Sequence, residues 1–320
     1  MKNLAVLRRL GLLPVLGMVL CIIALNIVLQ KNFFSATSLE SNLASLAPVI
    51  AVSVAQSIII LNRELDLSMG AGISLLNCIL ASFAPDQFGG AAGQIGVLLI
   101  AALGMGAVNG FFVGVCGLPS LIVTFATGAL WFGCALILMP QPGGAVTDAI
   151  GDLYSGYVLG APTPLVMILF AMAVWAIVSR HRFGRWIIGA GSNPAAVFQA
   201  GVSLVRVKVS TYLFAWGFVF LSAVAISAQT LSGDARLAQS YTLTSIAACV
   251  IGGVSLNGGK GSPVGALLGA TVLGLVGNVI YFAGVPGSWQ ELVKGLIVVA
   301  ALGFIVFEQR SSRNRRVSFV

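Results

Sequence analysis

The chain has 320 residues, 58% of them hydrophobic and only 8% charged, with a mean hydropathy of +1.02. Soluble domains carry about 25% charged residues, so this composition excludes a water-soluble globule and makes the bilayer the solvent. The net charge of +8 and pI near 9.6 do not mark a nucleic-acid binder, because the basic residues sit in short loops between apolar runs instead of forming a face.

Backbone groups in hydrocarbon must be paired within the protein, which leaves helices or a closed barrel. Apolar runs such as 121–139 and 210–228 have helical span length, not the ten-residue alternation of barrel strands. The expected fold is all-α: one polytopic transmembrane helix bundle over residues 1–320.

In chain order, a basic head (Lys2, Arg8, Arg9) precedes an apolar stretch over 11–29. It is too long for a signal-peptide core and lacks a small-residue cleavage site, so it reads as the first span. Further spans are expected at 43–61, 67–83, 95–114, 121–139, 163–178, 210–228, 242–255, 263–281 and 292–307. Those at 67–83, 242–255 and 292–307 are short for a straight crossing of about twenty residues and read as broken or partly inserted helices. Ten spans put both termini in the cytoplasm. Only Lys31, Arg236 and Lys294 then lie outside, leaving 14 of the 17 Lys and Arg on the cytoplasmic side, the bias of the positive-inside rule. The blocks 43–139 and 210–307 hold four spans each and start from opposite sides, which is the topology of an inverted repeat.

The longest basic cytoplasmic loop runs over 179–209. Within it Asn193 suits an N-cap, Pro194 the first helical position, Ala195 to Ala200 a helix, and Gly201 its termination. A helix of about two turns is marginal alone. It is either a coupling element docked into a cytoplasmic partner through Val197 and Phe198 or an amphipathic turn on the membrane surface. Two nearby glycine-rich stretches resemble phosphate loops superficially. Gly189-Ala190-Gly191 has Pro194 at its sixth position, and Asn257 to Ser262 lacks Walker spacing. No ATPase of the chain's own is visible, so an ATP-driven process needs a separate motor.

Inside the spans, Gln56, Asn77, Asn109 and Asn278, with Thr124, are candidates to line a path for a hydroxylated solute. Interhelical bonding is the commoner role for such residues. No Asp or Glu falls in the middle of an expected span, which counts against an ion-coupled carrier. Small-residue spacings at Gly106, Gly110 and Gly114 and at Gly265 and Gly269 allow close helix approach. Cys21, Cys78, Cys116, Cys134 and Cys249 form no C-x-x-C pair and read as packing residues. His181, the single histidine, sits among loop arginines. No catalytic or metal constellation is visible.

Several motifs in order carry a resemblance. Phe183-Gly184-Arg185 is followed by Ile188 to Ala196 and then by Ala200-Gly201-Val202. Asp66-Leu67-Ser68-Met69-Gly70 opens the third span. Ile251-Gly252-Gly253 leads to Gly258-Gly259-Lys260-Gly261-Ser262. Along nearly its whole length the chain resembles the permease subunits of ribose-type ABC sugar importers. The resemblance implies a bacterial inner-membrane permease that binds no cofactor itself, with ATP and Mg on cytoplasmic ATPase subunits that grip the Asn193 to Gly201 helix. It also implies a periplasmic solute-binding protein, a second permease subunit (identical or paralogous) and alternating access. The chain departs from the pattern at Arg63-Glu64, where the family has glycines, and at Thr242-Leu243-Thr244, where it has Glu-Leu-Asp. The readings from other classes are a secondary ion-coupled carrier and a membrane enzyme or receptor.

Overall fold

A computed structural model describes residues 12–83 and 89–286, with isolated positions between 289 and 303. The described chain is almost entirely helical. The helices are α1 (Leu13–Leu29), α2 (Ala36–Leu61), α3 (Met69–Ser82), α4 (Ala91–Gly110), α5 (Ser120–Leu138), α6 (Asp148–Ser155), α7 (Thr163–Arg180), α8 (Arg182–Ser192), α9 (Pro194–Gln199), α10 (Leu204–Thr230), α11 (Gln239–Ile251) and α12 (Pro263–Phe282). Every expected span before 292–307 coincides with one of these; 292–307 lies outside the described residues apart from isolated positions. Among the described residues six helices (α2, α4 with its extension, α5, α7, α10 and α12) are long and apolar enough to cross a membrane, while α1 and α3 are apolar but shorter.

The starts follow the capping rules. Ser35, Ser203 and Ser262 each accept a hydrogen bond from the N–H three residues on, and Pro263 follows Ser262 in the first turn. Pro48 inside α2 cannot donate to Ala44, which leaves that carbonyl without its helical partner. Tyr154 Oη donates to it at 2.7 Å and Gln229 Nε2 at 2.9 Å. α6, an outer helix that the sequence did not lead us to expect, thus supplies one bond that Pro48 removes.

In lipid, helices associate through close packing and interhelical bonds, and the buried centre is the α2–α10 pair with α3 and α4 against it. A Cβ on Gly72 or Gly106 would meet the Trp216 ring at 2.5 and 2.7 Å. Trp216 is therefore clasped between two glycines, and Gly110 and Gly114 face the α10 backbone around Val209 in the same way. Gly265 and Gly269 face Gly252 and Ala248 of α11, so both expected small-residue stripes are helix crossings.

Contacts sort the loops into two sets. At one end the Gly259 N–H donates to the Leu61 carbonyl at 3.0 Å, the Leu65 N–H to Ser120 Oγ at 3.2 Å, and Lys208 pairs with Glu64 at 2.6 Å. At the other end the Ala145 N–H donates to Ala81, the Val146 N–H to Leu231, and Gly143 bridges Gly233. The first set is the one that positive charge assigns to the cytoplasm. The outer set also carries α6 and a small hairpin, β1 (Tyr157–Val158) paired with β2 (Ala161–Pro162).

α2 and α10 end alike. Each is followed by a residue in the left-handed region, Arg63 (φ 65°) or Leu231 (φ 49°). Next comes an aspartate that accepts at 2.8 Å from the N–H two residues on: Asp66 from Ser68, Asp234 from Arg236. A short helix follows in both cases. These short helices brace each other reciprocally, since Thr242 Oγ1 accepts from the Gly70 N–H and Ser74 Oγ from the Ala238 N–H, both at 3.0 Å.

Candidate functional site

Two features stand out, a ledge at the end that positive charge assigns to the cytoplasm and a polar hub deeper in the bundle, and α8 joins them. The first is a ledge made by α8 and α9. α9 begins where Asn193 Oδ1 accepts the Ala196 N–H at 3.1 Å and ends at Gly201, whose φ of 78° favours glycine. Pro194, Ala195, Ala196, Val197, Phe198 and Gln199 bury no side chain, and Phe198 is 68% exposed. The expected short helix is present with the expected caps.

α8, which precedes it, was not expected from the sequence. It buries Gly184, Ile187, Ala190 and Gly191, a helical stripe that was legible but obscured by the glycine-rich look of 189–191. At Gly191 a Cβ would sit 1.9 Å from the Leu61 carbonyl oxygen. A Cβ on Gly259 would meet Ser192, and one on Gly258 would meet Arg63. The α8 terminus, the end of α2 and the 258–259 turn are therefore in backbone contact. The neighbouring Gly252 and Gly253 have separate jobs: the first admits the Gly265 backbone, and the second, at φ 78°, closes α11.

The second feature is a fully buried polar hub on the loop that links α2 to α3. Asp66 Oδ1 accepts from the Ser68 N–H at 2.8 Å and from Ser68 Oγ at 2.6 Å, while Oδ2 accepts from Trp216 Nε1 at 3.0 Å and Asn109 Nδ2 at 3.2 Å. Thr127 donates to Asn109 Oδ1 at 2.7 Å. The Gln56 amide, oriented with its nitrogen toward the Asp66 carbonyl, donates there at 3.1 Å and accepts from the Asp66 N–H at 3.3 Å. Thr124 Oγ1 accepts from the Leu67 N–H at 3.0 Å. A broken helix leaves backbone groups unpaired in a low-dielectric interior; Gln56 of α2 and Thr124 of α5 re-pair them here, while Asn109 of α4 and Trp216 of α10 hold the Asp66 carboxylate. Asp66, Leu67, Ser68 and Gly70 form one braced turn.

A family profile described as a branched-chain amino acid transport system permease component matches residues 38–302. The chain belongs to this permease family. The ribose import permease of Escherichia coli (strain K12) is 30% identical over 291 residues, covering 88% of this chain and 90% of that protein. The ribose import permease of Bacillus subtilis (strain 168) is 29% identical over 93% of this chain and 92% of its own length. The fructose import permease of Rhizobium meliloti is 29% identical over 90% and 83%. A solved metal-chelate type ABC transporter, captured inward-facing, superimposes with a TM-score of 0.48 at 14% identity, over 92% of this chain and 98% of that one. The permease is thus a multi-pass membrane subunit of the ABC importer class and not an enzyme, and family membership removes the ion-coupled carrier. Permeases of this class work with ATPase and binding-protein partners.

Of the residues singled out as pathway candidates, the permease fold gathers Gln56, Asn109 and Thr124 into the Asp66 hub. Asn77, fully buried, donates to Ser227 Oγ and the Ser232 carbonyl and accepts from the Asp234 N–H, so it braces the outer turn as Gln56 braces the inner one. Asn278 donates to Asn42, joining α12 to α2. All five carry bonds within the bundle. The departure at Thr242 falls on the reciprocal brace with Gly70, and that at Glu64 on the ion pair with Lys208.

Proposed function

We propose that this chain is the translocation subunit of a bacterial inner-membrane importer for a small sugar or sugar-like solute. It takes solute from a periplasmic binding protein, pairs with a second permease subunit, identical or paralogous, and is driven by cytoplasmic ABC ATPase subunits that hold ATP and Mg. The ribose and fructose permeases among its relatives support the solute class.

The observation that carries the coupling assignment is the ledge: no residue of α9 is buried, yet it is mounted on α8, which contacts the α2 terminus with no intervening side chain. A push on α9 is passed by rigid backbone to Leu61 and from there along a short turn to the Asp66 hub and α3. Alternating access is then the rocking of α3 and α11, which hold each other through Thr242 and Ser74, against the long helices.

The test is to express the permease with its ATPase partner and replace Phe198 by Ala and Gly201 by Val. Each is expected to cut ATP-dependent uptake about tenfold or more, as loss of a central interface anchor does, while leaving the amount of folded permease in the membrane unchanged. Undiminished uptake in both would remove α9 as the coupling element.

A further inference from the structure

A cavity of about 370 Å³ opens where the first turns of α3 and α11 cross α5. This volume lies within the range of small-molecule sites. Its α5 wall is a single helical stripe in which Phe125 and Phe132 flank the small Gly128 and Ala129. α11 contributes Gln239 and Leu243 at matching spacing. Phe125 to Phe132 are the middle turns of the 19-residue helix Ser120–Leu138, so the cavity is level with the middle of a helix long enough to cross the membrane.

Gln239 is the feature that lipid cannot explain. Its side chain is exposed and makes no hydrogen bond among the described residues. An amide facing acyl chains at that depth costs several kcal/mol, so such a group belongs against water or a polar solute. Thr242 also lines the cavity, but its hydroxyl accepts from the Gly70 N–H and donates to the Leu67 carbonyl; the other walls are apolar and the lining holds no charged residue. An ionic solute would therefore find no counter-charge there. A neutral ring with hydroxyls on its edge and C–H groups on its face fits both the aromatic walls and the single amide.

We infer that this cavity is the membrane-depth resting site of the transported solute, with Gln239 as its hydrogen-bonding residue, Phe125 and Phe132 as its apolar plates, and neutral monosaccharide-sized rings as its ligand class. The inference rests on the importer reading for the solute's presence but not for the site's wetness. Gln56, Asn77 and Asn109 do not line the cavity; they are fully buried and bonded within the bundle.

The test has two arms, both on the complete transporter in membranes. In a variant whose five native cysteines are replaced by alanine, Gln239→Cys is expected to react with a membrane-impermeant hydrophilic maleimide. Leu169→Cys, an exposed apolar position at the middle of α7, is expected to stay unreactive. A thiol at position 239 that fails to react would overturn the site, whether lipid or a partner helix covers it. In the second arm, labelled D-ribose, D-fructose and D-xylose are offered with ATP. Gln239→Ala is expected to raise the KM of whichever is taken up by about three- to tenfold, as for one lost neutral hydrogen bond. An unchanged KM, or uptake by the wild type of charged solutes in place of these sugars, would overturn the ligand assignment. Labelling at position 239 in a complex that shows no ATP-driven uptake at all would sink the importer reading and leave the water-lined site standing.

Discussion

Asp66 is the residue on which most of the inner turn depends. A carboxylate with four donors converging on it can sit in a low-dielectric interior because each oxygen accepts two hydrogen bonds. Asp66→Asn keeps the shape but turns an NH2 toward Trp216 Nε1 or the Ser68 N–H, so two buried donors lose an acceptor. We expect a loss of about 3 kcal/mol, read as a lower melting temperature of the purified permease in detergent. A shift within about a degree would mean that the hub is not a bracing element. Motif matching marked Asp66 from the sequence, but its partners could not be read there. Asn109 and Trp216 lie 43 and 150 residues away, and nothing local says that an apolar span will return its tryptophan to that loop. Arg63 adds a cost at the same place, since a left-handed backbone disfavours a side chain by about 1–2 kcal/mol, which accounts for glycine in the family pattern.

Among the elements, α8 shows how a helix can be present in the sequence and still be overlooked. Its apolar stripe of Phe183, Ile187 and Ala190 has helical spacing, but glycines at 184, 189 and 191 lower its propensity by about 1 kcal/mol each. Tertiary contact outweighs that loss. Gly184 and Gly191 are there because a Cβ would strike the Val178 and Leu61 carbonyls, and the packed backbone compensates for their poor propensity. Gly191→Ala is therefore expected to unseat α8 at a cost of about 2 kcal/mol or more and to abolish uptake. Gly189→Ala would meet only a Val197 methyl at 3.0 Å and should be far milder. Equal effects on uptake at the two positions would show that the Leu61 contact transmits nothing. α9, by contrast, was legible in full because its start and stop are local: an Asn side chain bonding three residues on, a proline behind it and a glycine at positive φ.

At the scale of the whole molecule, orientation is the testable quantity. The basic loops and the loops with few cations gather at opposite ends, so Leu159→Cys, fully exposed in the outer hairpin, should react with an impermeant thiol reagent in spheroplasts. Gln199→Cys on α9 should react only after permeabilisation. The reverse pattern would invert the protein and with it the coupling assignment. The sequence alone determined the solvent, the helical class, the position of nearly every span and the capped helix α9, because hydropathy and capping are properties of neighbouring residues. Tertiary structure decided which amides bond within the bundle, that two short helices brace each other, and that an unpartnered glutamine faces a cavity level with the middle of α5. Those outcomes depend on which distant helices the lipid-embedded backbone brings together, and packing among nearly equivalent apolar surfaces leaves no periodic trace in the chain.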